Sequence, residues 1–220
     1  MICDSGILGA APMPGATRVW LLRHGETAQP AVFHGAESDI GLSERGQRQA
    51  RAVAPLLAAQ RPAGIVSSAM RRAVQTATPV AEGCGLPLRI EPDLHERRVG
   101  ALSGTPFHAG NPSWSETLRA WMAGQTGYAP PGAESFDDIR RRVLPVWQRL
   151  AEDFAGRSLV VIAHGVVCKV LLMSLDTGLT PGDWQRIGPI RNVALHELVG
   201  AGSSWRLLRL NELPEEVRRQ

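Results

Sequence analysis

Two histidines stand at the ends of apolar runs, and a glycine follows each of them. Residues 18–23 (RVWLLR) lead into His24, and residues 158–164 (SLVVIAH) end in His164. Short apolar runs of this kind predict buried strands. Because the carboxyl ends of parallel strands form the ligand crevice of an open sheet, we expect the two imidazoles to meet in one crevice.

Two arginines accompany these histidines and indicate an anionic ligand. Arg23 precedes His24, and Arg72 follows a predicted strand at 64–69. Guanidinium groups form bidentate pairs with phosphate, and a helix that begins near Arg72 adds unpaired backbone N–H groups. The two arginines and two histidines would repel one another unless an anion lies between them. The set therefore predicts a phosphate-binding pocket.

Phosphoryl transfer through a histidine ring is the chemistry open to this pocket. A neutral imidazole is a competent nucleophile, and its other ring nitrogen must donate a proton to an acceptor such as a backbone carbonyl. The leaving alkoxide needs an acid, and Glu96 follows the predicted strand 88–94. We expect apolar neighbours or other acids to keep this carboxyl protonated. Glu26 and Glu91 are the alternative acids.

Alternating apolar and helical patterns must place these side chains. They predict a three-layer α/β sandwich in which helices flank a mostly parallel central sheet. The predicted strands cover 18–23, 64–69, 88–94, 158–164, 192–199 and 205–210. The predicted helices cover 42–60 (with Ser43 as N-cap and a possible kink at Pro55), 70–85, 114–123, 134–154 (with Ser135 and Asp138 as a capping pair) and 165–175.

The domain organisation follows from the same survey. The N-terminal stretch lacks the basic start and the long apolar centre of a signal peptide, so residues 1–17 are predicted to be a flexible leader, followed by a single domain at 18–212. The segment at about 99–131 is rich in Gly, Pro, Ser and Trp and is predicted to be a lid-like insertion over the crevice. Trp114 and Trp121 within it are expected to serve packing.

Composition excludes several partner classes. The 220 residues include 24 Lys and Arg and 21 Asp and Glu, and the net charge is +3. No dense basic stripe is present, so nucleic acid is not an expected partner. No apolar run reaches about 18 residues, so no membrane-spanning helix is predicted. Cys3, Cys84 and Cys168 lack metal-ligand spacing and are expected to be free thiols in the cytoplasm.

Six sequence blocks, in order over residues 18–200, resemble those of the histidine phosphatase superfamily, which includes the cofactor-dependent phosphoglycerate mutases. The blocks are LLRHGET, GLSERGQRQA, SSAMRRAVQTA, LHERRVGALSG, PPGAESFDDIRRRV and VVIAHG. The resemblance implies a phosphoglycerate mutase-like fold over the predicted domain. It also assigns phosphate binding to Arg72 rather than to Arg71, which is expected to be solvated.

The resemblance further implies a role for each member of the site. His24 would be the phosphorylated nucleophile, and Glu96 would act as general acid and then as general base. Arg23, Arg72 and His164 would hold the phosphoryl group, and Thr27, Gln29 and Gly165 are added as phosphate or substrate contacts. No metal or organic cofactor is implied.

Two positions depart from the family pattern. Pro30 stands where the family often has an asparagine that helps to bind phosphate, with Gln29 beside it. Ser103 stands where the family has a second glutamate. We expect both departures to affect substrate choice and not the nucleophile.

The sequence thus predicts a metal-independent phosphatase of the histidine acid type. It would hydrolyse phosphomonoesters of a small phosphorylated metabolite through phosphohistidine, in the cytoplasm. A phosphoglycerate mutase-type phosphoryl transfer is the first alternative, which the modest length of the insertion disfavours. A non-catalytic protein that binds a phosphorylated ligand is the second. A homodimer is possible, because late edge strands can pair between subunits.

The remaining candidate residues have simpler interpretations. Ser67 and Ser68 are expected to make turn hydrogen bonds or to cap the next helix, and Cys168 is expected in the core. The other histidines are not expected to be ligands, although His108 in the insertion could touch substrate; they are His34, His95, His108 and His196.

Overall fold

A computed structural model describes residues 15–108, 110–175 and 177–220. Most of the predicted leader, residues 1–14, lies outside the described residues, as does Cys3. The central sheet has six strands, which are β1 (Thr17–Arg23), β2 (Gly64–Ser68), β3 (Leu88–Glu91), β4 (Ser158–Ala163), β5 (Leu195–Ala201) and β6 (Ser204–Glu212).

The order of the strands brings the two histidines together. It is β3-β2-β4-β1-β5-β6, with β1 to β4 parallel and β5 and β6 antiparallel to their neighbours. The adjacent strands β1 and β4 end in register, with Arg23 opposite Ala163. His24 and His164 therefore leave the sheet side by side.

Helices cover both faces of this sheet, which confirms the predicted α/β architecture. They are α1 (Glu44–Ala58), α2 (Arg71–Cys84), α3 (Pro112–Met122), α4 (Phe136–Asp153), α5 (Gly165–Ser174), α6 (Trp184–Ile187) and α7 (Glu215–Arg218). Side chains alternate along each strand, so β1 serves two cores. Val19 and Leu21 pack in the core that contains α4 and α5, whereas Trp20 and Leu22 pack in the core that contains α1 and α2.

The predicted caps are present at the starts of two helices. Ser43 accepts the Gly46 N–H at 3.0 Å before α1, and Ser135 forms a reciprocal capping box with Asp138 before α4. Such caps satisfy donors that the first helical turn leaves without partners. Pro55 lies inside α1, which continues to Ala58.

Element boundaries differ from the prediction where local backbone chemistry intervenes. The third strand ends at Glu91, and Pro92–Leu94 form a 3-10 turn, because proline cannot donate a hydrogen bond to a neighbouring strand. The fifth strand begins at Leu195 and not at 192. Val193 just before it has a φ of 51°, which is incompatible with extended strand geometry.

The predicted insertion packs through aromatic side chains. Trp121 is fully buried, and its ring lies 6.2 Å from that of Trp114 and 5.3 Å from that of Trp184. The Arg97 guanidinium lies about 5 Å from both insertion rings. These tryptophans therefore serve packing, as expected. None of the described helices combines the length and the apolar character needed to cross a bilayer.

Candidate active site

The two strand-end histidines form the centre of the site. The rings of His24 and His164 meet edge to face, with centroids 5.2 Å apart. The backbone N–H of His24 donates to the Ala163 carbonyl at 3.0 Å. Both side chains are buried, with 3% and 0% of their surface exposed. The parallel register of β1 and β4 thus produces the juxtaposition that the sequence predicts.

The hydrogen bonds of His24 define where its proton lies. Its Nδ1 is 2.7 Å from the Gly25 carbonyl, which can only accept, so the proton is assigned to Nδ1. Its Nε2 accepts from Nε of Arg72 at 3.2 Å. The ring therefore presents the lone pair of Nε2 toward the arginine.

Burial and positive charge keep both rings neutral. The pKa of His24 lies well below its ordinary value because of burial, with the charges of Arg23 and Arg72 adding to the effect. The pKa of His164 is lowered well below its ordinary value by burial first and by Arg72 next. Neutral rings at neutral pH are what a histidine nucleophile requires.

Arg72 is anchored by backbone carbonyls of one loop. The side chain is fully buried. Its Nη1 donates to the Ser38 carbonyl at 2.7 Å, and Nη2 lies 3.4 Å from the carbonyls of His34 and Gly35. Arg71 is exposed, in agreement with the assignment of the buried role to Arg72.

Arg23 approaches the site from the end of β1. Its Nη1 donates to the Ile190 carbonyl at 2.8 Å, while its buried Nε has no partner within the described segments. Gly165 lies against it, because a Cβ on this glycine would lie 3.6 Å from Cδ and Nε of Arg23. Burial lowers the pKa of Arg23, and the Glu96 charge acts in the opposite direction.

Glu96 lies beside the first turn of α5, where it contacts Val166, two residues after His164. One carboxylate oxygen accepts the Arg97 N–H at 2.8 Å and the other accepts the Val166 N–H at 3.3 Å. Its charge is the largest influence that raises the pKa of both Arg23 and Arg72. Two backbone N–H groups thus contact this carboxylate and its charge acts on two arginines, while its protonation stays a prediction.

The two alternative acids are bound elsewhere. Glu26 accepts from the Ser43 hydroxyl and from Arg45 at the start of α1. Glu91 is held by Arg89 and Arg149 at the end of β3. Both carboxylates are thus occupied in ion pairs.

The positions of Thr27 and Gln29 support the predicted phosphate or substrate contacts less directly. Thr27 is buried and forms an isolated bridge with Leu42. Gln29 is exposed, and its carbonyl lies 2.8 Å from Nε2 of His34. Over the described residues, neither side chain makes a hydrogen bond to His24 or His164. Pro30 beside them is exposed, and Ser103 bonds through its backbone to Gly100.

Three further residues support the site without having been predicted to do so. Asn192 donates from Nδ2 to the His24 carbonyl at 2.9 Å, and Thr76 accepts the Gly25 N–H at 3.0 Å. The Ser68 hydroxyl lies 2.8 Å from Nε2 of His164. Ser68 ends β2 at the same sheet edge, so its position in the sequence could have predicted that it lies near the histidines. Nothing in the sequence marked Asn192.

None of the remaining histidines makes a hydrogen bond to His24 or His164 within the described residues, although the His34 carbonyl lies 3.4 Å from Nη2 of Arg72. His34 bridges Ser38 and Gln29, His95 contacts the Glu96 carbonyl through Nδ1, His108 is exposed and His196 is buried in β5. In the described parts of the chain, His, Cys, Asp and Glu side chains nowhere gather in threes or more with geometry suited to a metal ion.

Comparison with known proteins places this geometry in a family context. Residues 19–213 match the model of the histidine phosphatase superfamily (branch 1). A solved mycobacterial glucosyl-3-phosphoglycerate phosphatase superposes with a TM-score of 0.77 and 31% identity, covering 90% of this chain and 100% of that one.

Two curated relatives extend the comparison. A bifunctional protein of Mycobacterium tuberculosis is 37% identical over 177 residues, covering 79% of this chain. The chain spans only 48% of that relative, about half the length of the first curated relatives it matches. The metal-independent phosphoserine phosphatase of Arabidopsis thaliana is 34% identical over 172 residues, covering 76% of this chain and 71% of that one.

Proposed function

The chain belongs to the histidine phosphatase superfamily, and on that premise we propose that it hydrolyses phosphomonoesters through a phosphohistidine at His24. One observation carries the proposal. Nδ1 of His24 donates to the Gly25 carbonyl, so Nε2 keeps its lone pair among the cationic groups that would bind a phosphoryl group.

The first half-reaction transfers the phosphoryl group to the enzyme. Arg23, Arg72 and His164 hold the phosphoryl oxygens while Nε2 of His24 attacks phosphorus. The N–P bond forms as the P–O bond to the leaving group breaks. The electron pair goes to the leaving oxygen, which takes a proton from the Glu96 carboxyl.

The second half-reaction restores the enzyme. A water molecule gives a proton to the Glu96 carboxylate, and the water oxygen attacks phosphorus. The P–N bond breaks, its electron pair returns to Nε2 of His24, and inorganic phosphate leaves. No step in this scheme uses a metal, and the name of the Arabidopsis relative supports that choice.

The substrate class rests on the named relatives. Glucosyl-3-phosphoglycerate phosphatase and phosphoserine phosphatase are named for small phosphorylated metabolites, which supports a substrate of that class here. Thr27, Gln29 and Gly165 remain proposed contacts to it. Free thiols at Cys84 and Cys168 support a cytoplasmic location, and a homodimer remains a prediction from the sequence alone.

The test is a trapping experiment. The purified protein, incubated with an aryl phosphate in the presence of a chelator, should release phosphate and yield an acid-labile phosphoryl group after rapid denaturation. His24→Ala should lose both signals, whereas His108→Ala, which changes an exposed histidine, should still be labelled. A His24→Ala protein with full activity contradicts the proposal.

The same assay separates the alternatives. Conversion of 3-phosphoglycerate to its isomer faster than phosphate release would replace hydrolysis by mutase-type transfer. Tight binding of phosphate without turnover of any phosphomonoester would indicate a binding protein.

A further inference from the structure

A buried serine contacts the second histidine of the site. Ser68 is fully buried at the end of β2, and its hydroxyl oxygen lies 2.8 Å from Nε2 of His164 at the end of the adjacent β4. The same oxygen accepts the N–H of Met70 at 3.3 Å. These two contacts determine where the hydroxyl proton and the ring proton can lie.

The donors and acceptors around Ser68 and His164 favour one arrangement of their protons. A serine hydroxyl has one proton to donate, and over the described residues His164 is the acceptor within reach. If the hydroxyl donates to Nε2, its proton is satisfied and the ring proton lies on Nδ1. If Nε2 instead carried the proton, the buried hydroxyl proton would have no acceptor, at a cost of about 1–3 kcal/mol.

The other ring nitrogen of His164 has no protein partner among the described residues. Nδ1 of His164 is buried and makes no hydrogen bond within the described parts of the chain. The ring is neutral, because burial, Arg72, His24, Arg142 and Arg23 all disfavour a second proton. Its Nδ1–H is thus a buried donor without a partner in the described residues, and the charges of Arg72, Arg142 and Arg23 act on the same ring, which suits an anionic ligand with acceptor oxygens.

We propose that Ser68 is a positioning residue that fixes the proton of His164 on Nδ1, so that this N–H donates to a phosphoryl oxygen. The identity of that oxygen rests on the proposed function. The two histidines then carry their protons on the same ring atom with opposite consequences. His24 presents a lone pair for attack, and His164 presents a proton for binding.

The proton position can be read directly. Two-bond ¹H–¹⁵N correlation spectra of protein labelled with ¹⁵N-histidine distinguish the two neutral tautomers. Wild-type His164 should show protonated Nδ1 and unprotonated Nε2. Ser68→Ala should move the proton to Nε2. Ser67→Ala is the matched control, since Ser67 is equally buried but donates to the Ser68 carbonyl and not to the ring.

Binding and turnover give an independent readout. Titration with inorganic phosphate should shift the His164 Nδ1 resonance in the wild type. Ser68→Ala should weaken phosphate binding and lower kcat on the order of 10²-fold, as for loss of one donor to a developing oxyanion. Ser67→Ala should change neither quantity appreciably.

The inference is overturned if wild-type His164 carries its proton on Nε2, a result that needs no variant. An unchanged tautomer in Ser68→Ala has the same consequence. These spectra do not depend on turnover. A wild-type protein with the expected tautomer and no hydrolytic activity would therefore refute the proposed function while leaving the role of Ser68 in place.

Discussion

The Nε of Arg72 lies 3.2 Å from Nε2 of His24 and donates to its lone pair, the one that attacks phosphorus in the proposed mechanism. In that mechanism the incoming phosphoryl group displaces this guanidinium from the lone pair. The other nitrogens of Arg72 hold the carbonyls of a loop at 34–38. Entry of a phosphoryl group between His24 and Arg72 is thus coupled to that loop.

Replacement of Arg72 should impair both phosphoryl binding and loop order. Arg72→Lys keeps a positive charge but loses the planar set of donors, so kcat/KM should fall on the order of 10²-fold or more. Hydrogen exchange at residues 34–38 should become faster, because their carbonyls lose their partner. Arg71→Lys is the control, since Arg71 is exposed on the same helical turn. Equal effects of the two substitutions would contradict the model of the site.

The central part of this site follows from sequence because it depends on topology. His24 and His164 each end an apolar run, and parallel strands bring such ends to one edge. The supporting contacts depend on details that periodicity does not encode. Asn192 donates to the His24 carbonyl directly before Val193, which adopts a φ of 51°, a conformation that a β-branched residue seldom takes. One of the two donors to Glu96, the Val166 N–H, comes from the start of α5, which folding brings beside it.

Close backbone contact behind the nucleophile predicts a strong effect at Gly46 in α1. A Cβ there would lie 2.1 Å from the Glu26 carbonyl, and one on Gly25 would lie 2.7 Å from the Gly46 carbonyl. Gly46→Ala should therefore destabilise the fold by about 1–3 kcal/mol and reduce activity by displacing the His24 loop.

Gly83 in α2 provides the matched control for that substitution. Nothing lies within 4 Å of a Cβ at this position. Gly83→Ala should stabilise the protein by about 0.5–1 kcal/mol, the usual helix preference for alanine over glycine. Chemical denaturation measures both changes. A Gly46→Ala protein as stable as Gly83→Ala would show that the backbone relaxes freely behind the nucleophile.

His196 predicts a loss of stability in acid. It is fully buried in β5, neither ring nitrogen has a partner in the described segments, and burial lowers its pKa to about 4. Between pH 6.5 and 4 the unfolded chain gains a proton at this residue and the native chain does not, so stability falls as pH falls. The full effect is roughly 3 kcal/mol.

A variant isolates that contribution from those of His24 and His164. His196→Leu should flatten the decline in unfolding free energy between pH 6.5 and 4, whereas His108→Leu, at an exposed site, should leave it unchanged. Urea denaturation at several pH values measures the slopes. Parallel slopes for the wild type and His196→Leu would rule out this source of acid sensitivity.

Lys169 predicts a gain of stability in alkali. It is the only lysine of the chain, it is buried, and its Nζ donates to the Trp184 carbonyl at 2.7 Å and lies 4.3 Å from the Trp184 ring centroid. Burial lowers its pKa to about 8 from 10.5. Between these values the native state has lost a proton that the unfolded chain still binds. The contribution of this residue to the free energy of unfolding therefore rises with pH, by up to roughly 3 kcal/mol.

Cys168 has the opposite effect on the pH dependence of the unfolding free energy. The contribution of Lys169 must therefore be measured as a difference between two proteins. Burial raises the pKa of the Cys168 thiol, so above about pH 9 the unfolded chain loses a proton that the native state keeps, and stability falls. Lys169→Met has nearly the same shape without the charge, and Cys168 is present in both proteins. The unfolding free energy of the wild type minus that of Lys169→Met should therefore increase from pH 8 to 10.5. A difference that stays constant over this range would mean that the buried amine keeps its proton.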